Sequence, residues 1–141
     1  MKHEELTSRV IGVFFDVYNE LGFGFIESVY REAMLIALRA AGLNAEKEVP
    51  INVYFRGQLV GRFFADIVVE GSLLLELKSA RAVEPVHEAQ LLNELRATEA
   101  EVGLLLNFGP KPEFKRMVFD NERKRSRGLA ADANGGDVAT D

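Results

Sequence analysis

Phe63-Phe64-Ala65-Asp66-Ile67-Val68-Val69, followed by Glu70-Gly71-Ser72 and then Leu73-Leu74-Leu75-Glu76-Leu77-Lys78, is the stretch that decides how this chain folds. Two apolar runs of strand length flank a short turn around Gly71, which makes them consecutive β-strands. Side chains alternate along a strand, so Glu76 and Lys78 share a face with Leu74, while Leu73, Leu75 and Leu77 point the other way. Charges on strands this apolar are costly unless they are paired or bind something. Asp66 interrupts the first run as Glu76 and Lys78 interrupt the second. An aspartate on one strand and Glu-x-Lys on the next is an arrangement that metal-dependent phosphodiester cleavage can use.

Working outward, Glu46 to Phe55 reads as a preceding strand, placed at a sheet edge by Pro50. Arg56-Gly57-Gln58 is a turn into a strand from about Leu59 to Val69, so the three strands form an antiparallel meander. Upstream, Leu6, Val10, Val13, Phe14, Val17 and Leu21 recur at helical spacing and give a first helix of about five turns. Gly22 and Gly24 break it. A second helix is predicted from about Ile26 to Ala41, capped by Gly42. Downstream, Pro85 opens a third helix reaching about Thr98, with Ala89, Leu92 and Leu95 among its apolar positions. Val102–Phe108 is a buried strand by composition. A strand, helix, strand order implies a right-handed crossover and a parallel neighbour. Lys115–Phe119 is predicted as a last short strand. The fold class is therefore α/β, a mixed sheet with helices on its faces.

The chain of 141 residues is long enough for one domain with a real core, and its 48% apolar and 28% charged residues are ordinary for a globular protein. It has no cysteine, which excludes disulfides, thiolate metal sites and cysteine nucleophiles. Only His3 and His87 offer imidazole, so a metal here must be held mainly by oxygen, which favours magnesium, manganese or calcium. No signal peptide or membrane span is apparent, so the expected compartment is the cytoplasm. The net charge of −5 argues against non-specific coating of nucleic acid. Residues 111–127 nevertheless hold seven basic residues (Lys111, Lys115, Arg116, Arg123, Lys124, Arg125, Arg127) against Glu113, Asp120 and Glu122, a net +4. That segment reads first as a solvated face or a frayed end, with phosphate contact as the alternative. The domain is expected over residues 1–120. Residues 121–141 are expected to form a basic and then Ala/Gly/Asp-rich disordered tail.

Glu27 falls in the first turn of the second helix, on one face with Tyr30 and Arg31. If that helix packs over the sheet, Glu27 joins Asp66 and Glu76, and the three carboxylates beside Lys78 leave a local charge of −2 that a divalent cation would cancel. Each residue also has a plain structural explanation. Glu27 suits the helix dipole; Glu76 and Lys78 can pair on an exposed strand face; Asp66 can pair with Arg62 or Arg81. In the functional reading Lys78 acts electrostatically on the phosphate. Gln90, on the third helix, would reach substrate or a lysine-bound water. His87 and Glu94, on the same stripe, are expected to be solvated. Gly22-Phe23-Gly24-Phe25 is no phosphate loop, because it follows a helix, and is expected to shape a turn that aims Glu27 inward.

The segment Gly24-Phe25-Ile26-Glu27-Ser28-Val29-Tyr30 matches the motif after which the bacterial GxxExxY proteins are named, and those proteins resemble the PD-(D/E)XK nuclease superfamily. The likeness continues through Ala65–Val69, Glu76-Leu77-Lys78, Glu88–Asn93 and Gly103–Gly109, covering about residues 5–120. The resemblance implies a restriction-endonuclease-like αβββαβ core with an added N-terminal helix. It also implies magnesium or manganese held by Glu27, Asp66, Glu76 and the backbone carbonyl of Leu77, a catalytic Lys78 and an active-site Gln90. Its expected partner is nucleic acid, DNA ahead of RNA, with Tyr30, Arg31, Lys111, Lys115 and Arg116 as candidate contacts. A homo-oligomer or a protein partner that supplies substrate binding is also open. Two positions depart from the family pattern. Ala65 replaces the proline of the nominal motif, and Glu94 stands where related sequences carry a tyrosine. The alternative to a nuclease is a non-catalytic module on the same fold.

Overall fold

The computed structural model describes residues 3–126, with the side chains of Arg123, Arg125 and Ser126 excepted; residues 127–141 of the expected tail lie outside the described residues. The order is α1 (Glu4–Leu21), α2 (Glu27–Ala40), β1 (Ala45–Phe55), β2 (Gln58–Val69), β3 (Leu73–Lys78), α3 (Pro85–Arg96), β4 (Val102–Phe108), β5 (Pro112–Val118) and α4 (Asn121–Ser126). The five strands form one sheet in sequence order. β1, β2 and β3 are antiparallel, β3 and β4 are parallel, and β4 and β5 are antiparallel. The meander, the crossover through α3 and the edge position of β1 with its Pro50 are as the sequence predicts, and the architecture is a mixed α/β, restriction-endonuclease-like fold.

Strand alternation divides the interior into two layers. Leu73, Leu75 and Leu77 of β3, with Leu104, Leu106 and Phe108 of β4, pack under α1 and α2 against Val10, Phe14, Tyr30, Met34 and Leu38. Leu74 and Leu105 face the other way and pack under α3 against Leu91 and Leu95. α2 ends as expected at Gly42: the Gly42 amide donates to the Arg39 carbonyl and the Leu43 amide to the Leu38 carbonyl, the paired bonds of a Schellman motif.

Three details correct the expectations. The last strand begins at Pro112, three residues earlier than predicted. The chain does not leave the domain at residue 120, because α4 follows, and its Lys124 is fully buried with Nζ donating to the carbonyls of Thr98 and Ala100, 2.6 Å each. That lysine is neither frayed nor available to a phosphate. Finally, α3 is rotated from its predicted phase. Its buried residues are Leu91, Glu94 and Leu95, while Ala89 is exposed and Leu92 only half-buried.

Candidate active site

β2 pairs with β3 over only three rungs, from Val69↔Leu73 to Ile67↔Leu75, whereas its pairing with β1 continues to Gln58. The two strands thus fork at Asp66, and the Glu76–Lys78 end of β3 keeps only its β4 partner. Alternation breaks at the same place. Ile67 and Val69 belong to the layer under α1 and α2, yet Ala65, two residues away, lies with the layer under α3. On β1 the residue facing this point, Glu48, has left-handed backbone (φ 52°), a conformation uncommon for a side chain of its kind. Asp66 is therefore turned toward β3. Its Oδ2 accepts the Leu77 amide hydrogen at 2.7 Å, replacing the ladder bond that β2 no longer supplies.

Glu76 and Lys78 lie on the α3 side of β3, as strand alternation requires. There Glu76 meets Glu94. Both are nearly sealed from solvent, at 3% and 4% exposure. Residue 103 is glycine, and a Cβ there would lie 2.8 Å from a Leu91 methyl, so the Leu91 side chain of α3 rests directly on β4 at that point. With Leu91 and Leu95 turned down onto the sheet, Glu94 lies on the same stripe and is carried down with them. Glu76 Oε2 and Glu94 Oε1 are each buried with no N–H or O–H donating to them.

Burial is the largest cause raising the Glu76 carboxyl, to about 10, with the charges of Asp66 and Glu94 adding to it and Lys78 opposing it. Burial likewise raises Glu94, to about 7, while its contacts with Glu76 and Gln90 favour the charged form. Glu76 thus holds a proton that it donates to Glu94, because two carboxylates in hydrogen-bond contact cannot both stay charged without a proton or a cation between them. The oxygen-only donor set, its orphaned buried oxygens and a formal charge of −2 for Asp66, Glu76, Glu94 and Lys78 together fit a hard divalent ion. Among the described residues, no three acidic or histidine side chains converge on one point as they stand.

The structure brings together Asp66, Glu76, Lys78 and Gln90 of the residues picked from sequence. It adds Glu94, which was expected to be solvated. Glu27 is not drawn in: it is exposed in the first turn of α2, and the charges acting on Glu76 are those of Asp66, Glu94 and Lys78. The Gly22–Phe25 turn has another purpose. Tyr30 is fully buried, its ring stacked 4.1 Å from that of Phe108, and its hydroxyl donates to the Gly22 carbonyl (2.6 Å) and accepts from the Phe25 amide. Tyr30 therefore staples the turn and is not free to meet a nucleic acid. Arg31 is half-buried beside Glu32. His87 is not a plain solvated residue either, since its Nδ1 accepts the Glu84 amide hydrogen in a capping box at the start of α3.

The motif around Asn107 also proves structural. Asn107 is fully buried beside Lys78 in register and clamps the loop leaving β3, with Oδ1 accepting the Ala80 amide hydrogen and Nδ2 donating to the Ala80 carbonyl. Gly109 must lack a side chain, because a Cβ would lie 2.3 Å from that same carbonyl oxygen. On β5 only part of the basic group faces the site. Glu76, Leu105 and Lys115 are in register across β3, β4 and β5, so exposed Lys115 shares the Glu76 face about two strand spacings, roughly 10 Å, away. Arg116, one residue on, lies on the opposite face, and Lys111 is exposed just before β5.

A cleft of about 410 Å³ opens beside Glu94, lined by Gln90 and Asn93 of α3, by Asn52, Val53 and Tyr54 of β1 and by Phe63 of β2. No helix among the described residues is long and apolar enough to cross a membrane.

Comparison with known proteins agrees with this fold. The crystal structure of SSO0001 is similar in fold, with a TM-score of 0.54 and 22% identity over 66% of this chain; this chain spans about half (50%) of that one. No curated protein matches the chain. The family model of the PD-(D/E)XK nuclease superfamily matches residues 4–117, which include every strand and helix that shapes the fork and its carboxylates, and the chain therefore belongs to that superfamily.

Proposed function

We propose that this protein is a divalent-metal-dependent nuclease that hydrolyses phosphodiester bonds at the strand fork, with DNA as its expected substrate. The observation that carries this reading is Asp66, bound across the fork to the Leu77 amide, with its charge acting on Glu76 and with Lys78 two residues further along the same face of β3. Asp66 and Glu76, with the carbonyl of Leu77 from the GxxExxY resemblance, form the proposed ligand set, and Glu27, exposed on α2, is left out of it. When bound, magnesium or manganese supplies charge neutralisation and a more acidic water.

The chain's own residues do the rest. Lys78, half-exposed at the end of β3, presents an ammonium to the charge that builds on the non-bridging phosphate oxygens. Gln90 is exposed, lines the cleft and contacts Glu94, so it can orient substrate or the attacking water without carrying charge. Lys115, on the same face, holds a neighbouring phosphate. Leu74, Leu91, Leu95 and Leu105 exclude solvent beneath the carboxylates and so strengthen every electrostatic contact there.

The test is cleavage of labelled single-stranded, duplex and branched DNA, with RNA in parallel, by wild type and Lys78→Ala in manganese and in EDTA. Wild type is expected to cut only with metal, and Lys78→Ala to bind substrate without cutting. A protein that binds manganese yet cuts none of these substrates is a binding module, and the nuclease reading is then abandoned.

A further inference from the structure

We propose that Glu94 is a direct ligand of the divalent ion, supplying from α3 a carboxylate beside those of Asp66 and Glu76. The inference rests on the metal-dependent reading above and adds to it a residue from α3.

Three observations converge. First, Glu94 lies in the buried stripe of α3, held over β3 and β4 by Leu91 and Leu95, where the Leu91 side chain rests on Gly103. Second, Glu94 Oε1 and Glu76 Oε2 are both buried and both lack a donor, in residues that are more than nine-tenths sealed. Buried polar atoms are almost always satisfied, and acceptors left over in a site of net negative charge need a cation rather than a further acceptor. Third, Glu94 lines the same cleft as Gln90 and Asn93, so its side of the cluster borders open space.

The alternative, a purely structural Glu94, is disfavoured by the same facts. A structural role needs donors on the buried oxygens, and none is present on Oε1. A tyrosine at this position would bring one hydroxyl and no charge. Glutamate brings a charge that burial penalises unless something positive joins it.

Manganese binding to the metal-free full chain, measured by calorimetry and by thermal unfolding, tests this for wild type, Glu76→Gln, Glu94→Gln and Glu94→Asp. Glu94→Gln keeps the volume and should weaken manganese binding at least tenfold while raising the metal-free Tm, because it removes a repelling charge. Glu94→Asp should recover part of the affinity. A structural residue would behave oppositely, its loss lowering the metal-free Tm and leaving the manganese affinity where it was; that result overturns the proposal. If Glu76→Gln loses manganese and Glu94→Gln does not, the nuclease reading stands and this inference fails. If wild type itself binds no manganese, both fall together.

Discussion

Replacing Glu76 by glutamine should stabilise the metal-free protein, and by an amount that grows with pH. Glu76 has an ordinary carboxyl value of 4.5 when exposed and about 10 in the fold, chiefly because burial and the Asp66 charge oppose its ionisation. Below pH 4.5 it is protonated folded and unfolded alike, so the fold is not penalised there. Above that, the unfolded chain ionises while the folded chain keeps its proton, and stability falls as pH rises toward the folded value. Each pH unit costs about 1.4 kcal/mol, so the penalty reaches roughly 3 kcal/mol at about pH 7. Glutamine has the shape of the protonated acid, can still donate to Glu94 and never ionises. Glu76→Gln should therefore match wild type near pH 4.5 and exceed it by up to roughly 3 kcal/mol near pH 7, a Tm gain on the order of 10 °C. Urea unfolding followed by circular dichroism in EDTA, at several values between those limits, measures the gap. A gap that stays constant with pH, or a variant that is less stable near neutrality, would refute the claim that a buried carboxyl held protonated lies at this site.

Gly109→Ala should cost roughly 2 kcal/mol or more in urea unfolding, since its Cβ would meet the Ala80 carbonyl oxygen at 2.3 Å and backbone cannot give way cheaply. Asn107→Ala should cost about 2–3 kcal/mol by orphaning both backbone groups of Ala80, and its loosened loop should lower cleavage as well. Tyr30→Phe should lose about 1 kcal/mol, from the bond to the Gly22 carbonyl, and leave the affinity for an oligonucleotide unchanged; a drop in affinity would show that Tyr30 reaches substrate after all. Lys115→Ala should reduce the slope of log affinity against log salt by about 1 in fluorescence anisotropy, whereas Arg116→Ala, on the other face, should leave the slope alone.

Several parts of the site were legible because their signals are local. The β3 and β4 bounds, Leu73–Lys78 and Val102–Phe108, follow from apolar runs of strand length, and the parallel pair follows from the helix between them. The shared face of Glu76 and Lys78 follows from alternation. Glu94 was legible only as a departure from a family pattern. A charge on a helix is expected to face water, and counting it as polar rotated the predicted apolar stripe onto Ala89 and Leu92. The true stripe, Leu91, Glu94 and Leu95, contains the charge.

By itself, the sequence determined the order of elements, the mixed sheet and the placing of Asp66, Glu76 and Lys78 on adjoining strands, because periodicity and turn chemistry act over a few residues at a time. Only the tertiary structure decided which polar groups lose their water. Asp66 turns to the Leu77 amide because β2 leaves β3 there. Asn107 clamps Ala80 across the sheet, Lys124 is buried against the end of α3, Tyr30 is taken up inside while Glu27 stays outside, and Glu94 meets Glu76 on the stripe that seats Leu91 over Gly103. Each of these depends on a contact between segments remote in sequence, and desolvation, unlike periodicity, is a property of that contact rather than of either residue alone.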